Sequence, residues 1–168
     1  MTTNLFSFID LFSRQVATAQ HLLAKGVEHA KATGVSEADM LGWRLIEDMQ
    51  PLAFQLTVVC NFSQAWPARV AGLPVPAEVA DLDVAGFQAA LAAAKAWLAA
   101  RTPEEFADRD DVPLTYMIGT GMEPTLPSGQ WLRVFATTNI YFHLSTAYGI
   151  LRSKGAPIGK IDMFAGGL

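Results

Sequence analysis

Two stretches of this chain carry no charged side chain, residues 49–68 and residues 134–151. A helix with no charge on any face is one that protein surrounds, so each stretch belongs at the centre of a fold or against a second subunit. Both read better as interior helices of a soluble bundle than as membrane spans. The first contains Gln50, Pro51, Gln55, Asn61, Gln64 and Pro67, and the second Asn139 and His143, all of which hydrocarbon would penalise. A chain of 168 residues, 51% of them hydrophobic, can bury one substantial core around two such helices, which predicts a single domain over residues 1–168.

Charge narrows the partners. Lys and Arg total 12 against 16 Asp and Glu, for a net charge of −4, and no basic cluster reaches the density that phosphate-backbone binding requires. Nucleic acid and membrane are therefore not expected partners. Cys60 is the one cysteine and cannot form an intrachain disulfide, and Met1-Thr2-Thr3-Asn4 lacks the basic stretch that opens a secretory signal. The expected location is the cytoplasm.

Periodicity lays out the helices. Leu5, Ile9, Phe12, Val16, Ala19, Leu23 and Val27 recur at spacings of three and four, predicting a helix over residues 4–33 that stops at Gly34. Ser36-Glu37-Ala38-Asp39 resembles an N-cap with an acidic first turn, opening a short helix that runs through Trp43 and Arg44 towards Asp48. Beyond Pro51, the stripe Leu52, Gln55, Val59, Phe62 and Trp66 makes a helix with one polar inward position, Gln55, ended by Pro67 and the loop at 72–76. Val84, Phe87, Leu91, Ala94 and Leu98 define an alanine-rich helix over 83–100. Thr102-Pro103-Glu104-Glu105 caps a short piece, and the alternation of Leu114, Tyr116 and Ile118 before Gly119-Thr120-Gly121 predicts an irregular hairpin. Ser128 then caps a last helix to Lys154, stopped by Gly155 and Pro157, with an apolar tail at 158–168 that can dock on the bundle. Four long helices make an all-α four-helix bundle the expected architecture.

Asn139 and His143 lie one turn apart on the last helix, and a polar pair on an interior helix face is costly unless hydrogen-bonded or bound to something. With Gln55, the inward polar residue of the second long helix, they mark a pocket. Asp48 is a fourth candidate, since a carboxylate beside an imidazole would make a general base, although Pro51 breaks a simple helical extrapolation to it. His143 also reads as a core histidine satisfied by an amide or a tyrosine hydroxyl. His21 falls off the apolar stripe, on the exposed side, and His29 near the end of its helix complements the helix dipole. Cys60 has no Lys, Arg or His within four residues to lower its pKa and reads as an inert core thiol.

The run Asn139-Ile140-Tyr141-Phe142-His143-Leu144-Ser145-Thr146-Ala147-Tyr148-Gly149-Ile150-Leu151-Arg152, followed by Gly155, Pro157-Ile158-Gly159-Lys160 and Asp162, resembles the uncharacterised DUF1993 family, a branch of the DinB/YfiT-like metalloenzyme superfamily. Glu47-Asp48-Met49-Gln50-Pro51-Leu52-Ala53-Phe54-Gln55 resembles its second signature. Thr138 departs from the family pattern, which has proline before the asparagine. The resemblance implies an up-down-down-up four-helix bundle, a homodimer, and in active members a divalent metal on three histidines used for thiol transfer or hydrolysis. Carried onto this chain, those ligand positions fall on Asn139, His143 and a residue near Gln55, so one of three is histidine. The implied site is degenerate, holding no metal, with His143 the one residue of a usual ligating type. Three functions stay open: an uncharacterised DinB-like protein with a polar pocket, non-catalytic or binding a small ligand; a metal-dependent transferase or hydrolase; and a structural dimeric interaction protein.

Overall fold

The computed structural model describes residues 4–167; residues 1–3 and 168 of the expected domain lie outside them. Helix α1 (Ser7–Thr33) buries Ile9, Phe12, Val16, Ala19, Leu22 and Leu23 and ends on Gly34, whose φ of 72° is the left-handed conformation that favours glycine. Near its C-terminal end the inward positions are small, Gly26 and Ala30. A Cβ on Gly26 would meet Leu151 and Met40 at 3.0 Å, so this glycine lets α1 lie close against its neighbours.

Helix α2 (Glu37–Leu41) is shorter than its sequence predicts. Ser36 caps it by accepting from the Asp39 N–H, but the chain then turns into a loop that Arg44 braces, donating to the carbonyls of Glu47 and Met49. Helix α3 (Leu52–Ala71) is longer than predicted and carries Pro67 inside it. The proline removes one backbone bond, yet Trp66, Ala68, Val70 and Ala71 are all buried, and that burial holds the helix together until Gly72 ends it. Helix α4 (Val84–Ala99) follows, capped by Asp83 accepting from Gly86, and a capping box at Thr102 and Glu105 opens the short 3₁₀ turn Pro103–Phe106.

The hairpin forms as β1 (Pro113–Thr115) paired antiparallel with β2 (Thr125–Pro127), Leu114 opposite Leu126, with a further bridge between Ile118 and Met122. A strictly all-α description therefore needs correcting: the chain is mostly helical with one small two-stranded sheet. The hairpin is tied to the helices by Trp131, whose indole N–H donates to the Leu114 carbonyl at 2.8 Å. Beneath it Trp66 stacks on Trp131 with centroids 5.0 Å apart, and Tyr116 and Phe135 close the cluster edge-on.

The last helix is not uniform. A first turn, α5 (Ser128–Gln130), passes through a π-helical stretch, Trp131–Ala136, into α6 (Thr137–Ser153). Helix α3 packs against α6 and α4, and α1 packs against α4, α3 and α6. The core of Leu56, Val59, Phe87, Leu91, Leu144 and Ile150 sits among them. The outer face of the last helix is exposed at Val134, Thr138, Tyr141, Phe142 and Ser145, none of them charged.

The C-terminal tail folds back on α1. Asp162 accepts from the Gly159 N–H at 2.7 Å and meets His21 Nε2 at 2.7 Å, and those two contacts, the backbone one first, hold its carboxyl below the usual range. His21 is thus half-buried under the tail and not on a free face. His29 meets the Lys154 carbonyl at 2.8 Å, so it ties α1 to the end of α6.

Candidate functional site

Helices α3 and α6 bring two of the four predicted site residues together. Gln55 is 2% exposed, and its side-chain oxygen lies 2.7 Å from His143 Nδ1. Its amide nitrogen donates in turn to the Gln50 carbonyl at 2.9 Å, which fixes which end of the amide faces the ring. An amide oxygen can only accept, so Nδ1 carries a proton, and in the neutral ring the lone pair is then on Nε2. No hydrogen bond occupies Nε2 among the described residues. Burial pushes the His143 pKa below its ordinary value, in the same direction.

The surroundings of the ring are aromatic. Phe54 meets it edge-on at 5.8 Å and Phe142 at 5.2 Å, and both phenylalanines are exposed. The imidazole therefore sits half-buried in an apolar notch, with one polar contact, to Gln55. Sequence periodicity locates that contact, because a polar residue in the apolar stripe of α3 needs a partner on a packed neighbour.

The other two candidates are placed differently. Asn139 turns its amide onto its own helix, donating to the Phe135 carbonyl at 2.8 Å, where α6 emerges from the π-helical stretch. Beside it the Thr137 hydroxyl donates to the Leu132 carbonyl at 2.9 Å. These two side chains satisfy carbonyls at the junction of wide and regular helix, a backbone need that spacing alone does not reveal. Asp48 is exposed in the loop before α3, beside Ile46 and Glu47, and no hydrogen bond or ion pair joins it to Gln55 or His143. The chain is non-helical from Gly42 to Pro51, and Pro51 is itself extended with a ψ of 172°, which is why helical extrapolation past it fails.

The donor set does not fit a metal of the three-histidine kind. Gln55 spends its oxygen on His143 and its nitrogen on Gln50, Asn139 spends its nitrogen on Phe135, and a neutral amide is in any case a weak zinc ligand. Among the described residues no group of three or more His, Cys, Asp or Glu is placed to hold an ion. Cys60 is buried, and that burial pushes its thiol up to about 11, so it supplies no ready thiolate.

A groove of about 470 Å³ runs along the other side of α3, from Gln50 and Phe54 past Thr57 and Asn61 to the 78–81 loop. Asn61 holds that loop by exchanging two hydrogen bonds with the Val79 backbone, each 3.0 Å. Phe54 belongs to both the groove and the imidazole notch. No helix among the described residues is long and apolar enough to cross a membrane.

The family model described as a domain of unknown function (DUF1993) matches residues 6–164. Among solved structures, a DinB family member from Shewanella denitrificans superposes with a TM-score of 0.83 and 24% identity, over 95% of this chain and 90% of that one. At that identity the likeness is one of fold. No curated protein matches the chain significantly.

Proposed function

The chain belongs to the DUF1993 family, and on that premise we propose that it is a non-catalytic, small-ligand-binding protein of DinB-like fold, in which a hydrogen-bonded imidazole stands where the resemblance would put a metal. The observation that carries this is the Gln55–His143 contact at 2.7 Å, backed by the Gln50 carbonyl. A ligand in the notch would meet Nε2 of a neutral imidazole between two phenylalanine edges, a combination suited to a small molecule with one hydrogen-bond donor on an apolar body. In this reading the four long helices run up-down-down-up in one domain, no transition metal is held tightly, and the protein resides in the cytoplasm.

The reading includes a homodimer. Phe142 and Phe54, which flank the imidazole, are exposed at 59% and 40%. A second copy seated there would remove that apolar surface from water and roof the imidazole notch.

Metal analysis of untagged protein, with thermal-shift titrations of zinc, small thiols and small amides, tests the site. Metal below a tenth of an equivalent is expected, with a ligand response that His143→Ala abolishes. Stoichiometric metal lost in His143→Ala would overturn the reading. Sedimentation at micromolar protein should show a dimer that Phe142→Glu dissociates, and a monomeric native chain would remove the assembly. One observation favours a second reading, a metal-free hydrolase or transferase with His143 as base: Gln55 fixes the tautomer that leaves Nε2 basic. Turnover rising with pH as His143 loses its proton, and lost in His143→Gln, would bring that reading forward.

A further inference from the structure

The groove along the outside of α3 joins an apolar lining to a one-signed charge. Phe54, Val58, Phe62 and the fully buried Phe87 supply apolar surface, and at about 470 Å³ the space is of the size that small molecules occupy. The 78–81 loop forms the opposite wall. It is pinned there rather than loosely apposed, because Asn61 exchanges two hydrogen bonds with the Val79 backbone, each 3.0 Å. The groove is therefore built before any ligand arrives, which lowers the cost of filling it.

Its charge is negative and uncompensated. Glu78 and Asp81 stand on the loop side, and neither carboxylate has an ion pair or a side-chain hydrogen bond among the described residues. A neighbouring hollow towards α2 shares Pro51, Ala53 and Asp81 with the groove and adds Glu37 and Asp83. Among the described residues, no Lys, Arg or His lines either space. The Thr57 hydroxyl spends its proton on the Ala53 carbonyl at 3.0 Å, so its oxygen faces a ligand as an acceptor. Such a trough repels anions, and it holds a cation better than a neutral molecule of the same shape.

We propose that the groove outside α3 binds an amphipathic organic amine, a protonated ammonium on an aryl or alkyl body. The ammonium would meet Asp81, where the charges of Glu37, Glu78 and Asp83 add to the attraction. The apolar body would lie against Phe54, Val58 and Phe62; Phe54 and Asn61 are seven residues apart, so the trough offers it about 10 Å of helix length. This site goes beyond the imidazole notch, with which it shares Phe54, and needs nothing from His143.

An NMR titration of the full chain at pH 7 and low salt tests it, with 4-phenylbutylamine as the probe and the neutral 4-phenylbutanol and the anionic 4-phenylbutyrate as controls. Signals of Thr57, Val58, Val79 and Asp81 and the Asn61 side-chain amide should move with the amine, half-saturating below about 5 mM. The alcohol should bind at least about tenfold more weakly and the carboxylate more weakly still, and added salt should narrow the gap. Glu78→Gln combined with Asp81→Asn should bring the amine down to the affinity of the alcohol while the alcohol and the melting temperature stay unchanged. Asparagine suits residue 81, whose φ of 52° is left-handed. His143→Ala should leave all three titrations unaltered, which separates this site from the notch. An amine that binds no more tightly than the alcohol, shifts confined to residues outside the groove, or an undiminished amine affinity in the double variant would overturn the proposal.

Discussion

Removing the His143 ring should strand the Gln55 oxygen, and the size of the effect follows from where the two groups sit. Gln55 is 2% exposed, so an unpaired oxygen there falls in the range of about 1–3 kcal/mol. His143 is only half-buried, and its loss lets water approach, which places the cost near the lower end. Loss of the edge contacts to Phe54 and Phe142 adds about 0.5 kcal/mol each. His143→Ala should therefore destabilise by about 2 kcal/mol. Gln55→Met keeps the length of the side chain and strands only a half-buried Nδ1–H and a carbonyl on exposed Gln50, for about 1 kcal/mol. The double variant strands neither amide nor imidazole and should cost hardly more than the lost ring contacts. The cycle thus predicts a coupling of about 1–2 kcal/mol, read from urea unfolding at fixed protein concentration with an unchanged slope. Single effects that simply add, to within about 0.5 kcal/mol, would refute the hydrogen bond as the link between α3 and α6.

Three further outcomes are expected. Burial depresses the His143 pKa in the folded chain, so the unfolded chain takes up the proton first; the stability present above about pH 6.5 should decline as the pH falls through the folded value, and His143→Gln should flatten that decline in chemical unfolding curves. A Cβ on Gly129 would collide with the Asp110 carboxylate that pairs with Arg133, so Gly129→Ala should destabilise by about 1–3 kcal/mol, and a change within about 0.5 kcal/mol would contradict that packing. With its thiol pushed up to about 11, Cys60 should react with Ellman's reagent at pH 8 only as fast as the chain opens, and at once in urea; prompt stoichiometric reaction of the folded protein would show the burial to be wrong.

Much of the architecture is legible in the sequence because it rests on long periodic stretches. The stripe from Ile9 to Leu23, the glycine stop at Gly34, the Ser36 cap and the hairpin around Gly119 are local signals, each read from a few adjacent residues. The Gln55–His143 contact is legible for a different reason, since a long polar side chain in an apolar stripe restricts what can face it. What escapes is whatever depends on tertiary balance. Pro67 fails to end α3 because the burial beyond it outweighs one lost bond, and α2 stops early because Arg44 ties the loop to backbone carbonyls. Asn139 misleads because its polarity serves a change of helical winding, which no spacing rule for α-helix anticipates. His21 gains its partner only when the tail folds back across α1.

The wide turn at Trp131–Ala136 has a bearing on how the length of this chain can change over time. A π-helical stretch amounts to one residue more than regular α-winding would use for the same rise. Losing one residue there would let the segment rewind as α-helix, with Ser128 on one side and the Thr137–Ser153 face on the other keeping their directions. The same loss one turn later would rotate each following side chain by about 100° relative to the hairpin end, so that whichever end kept its packing, the other would face the wrong neighbour. The helix that carries His143 therefore contains a place for single-residue insertion and deletion, and sequences descended from a common ancestor should differ in length at residues 131–136 while the spacing from Ile140 to Leu151 stays fixed.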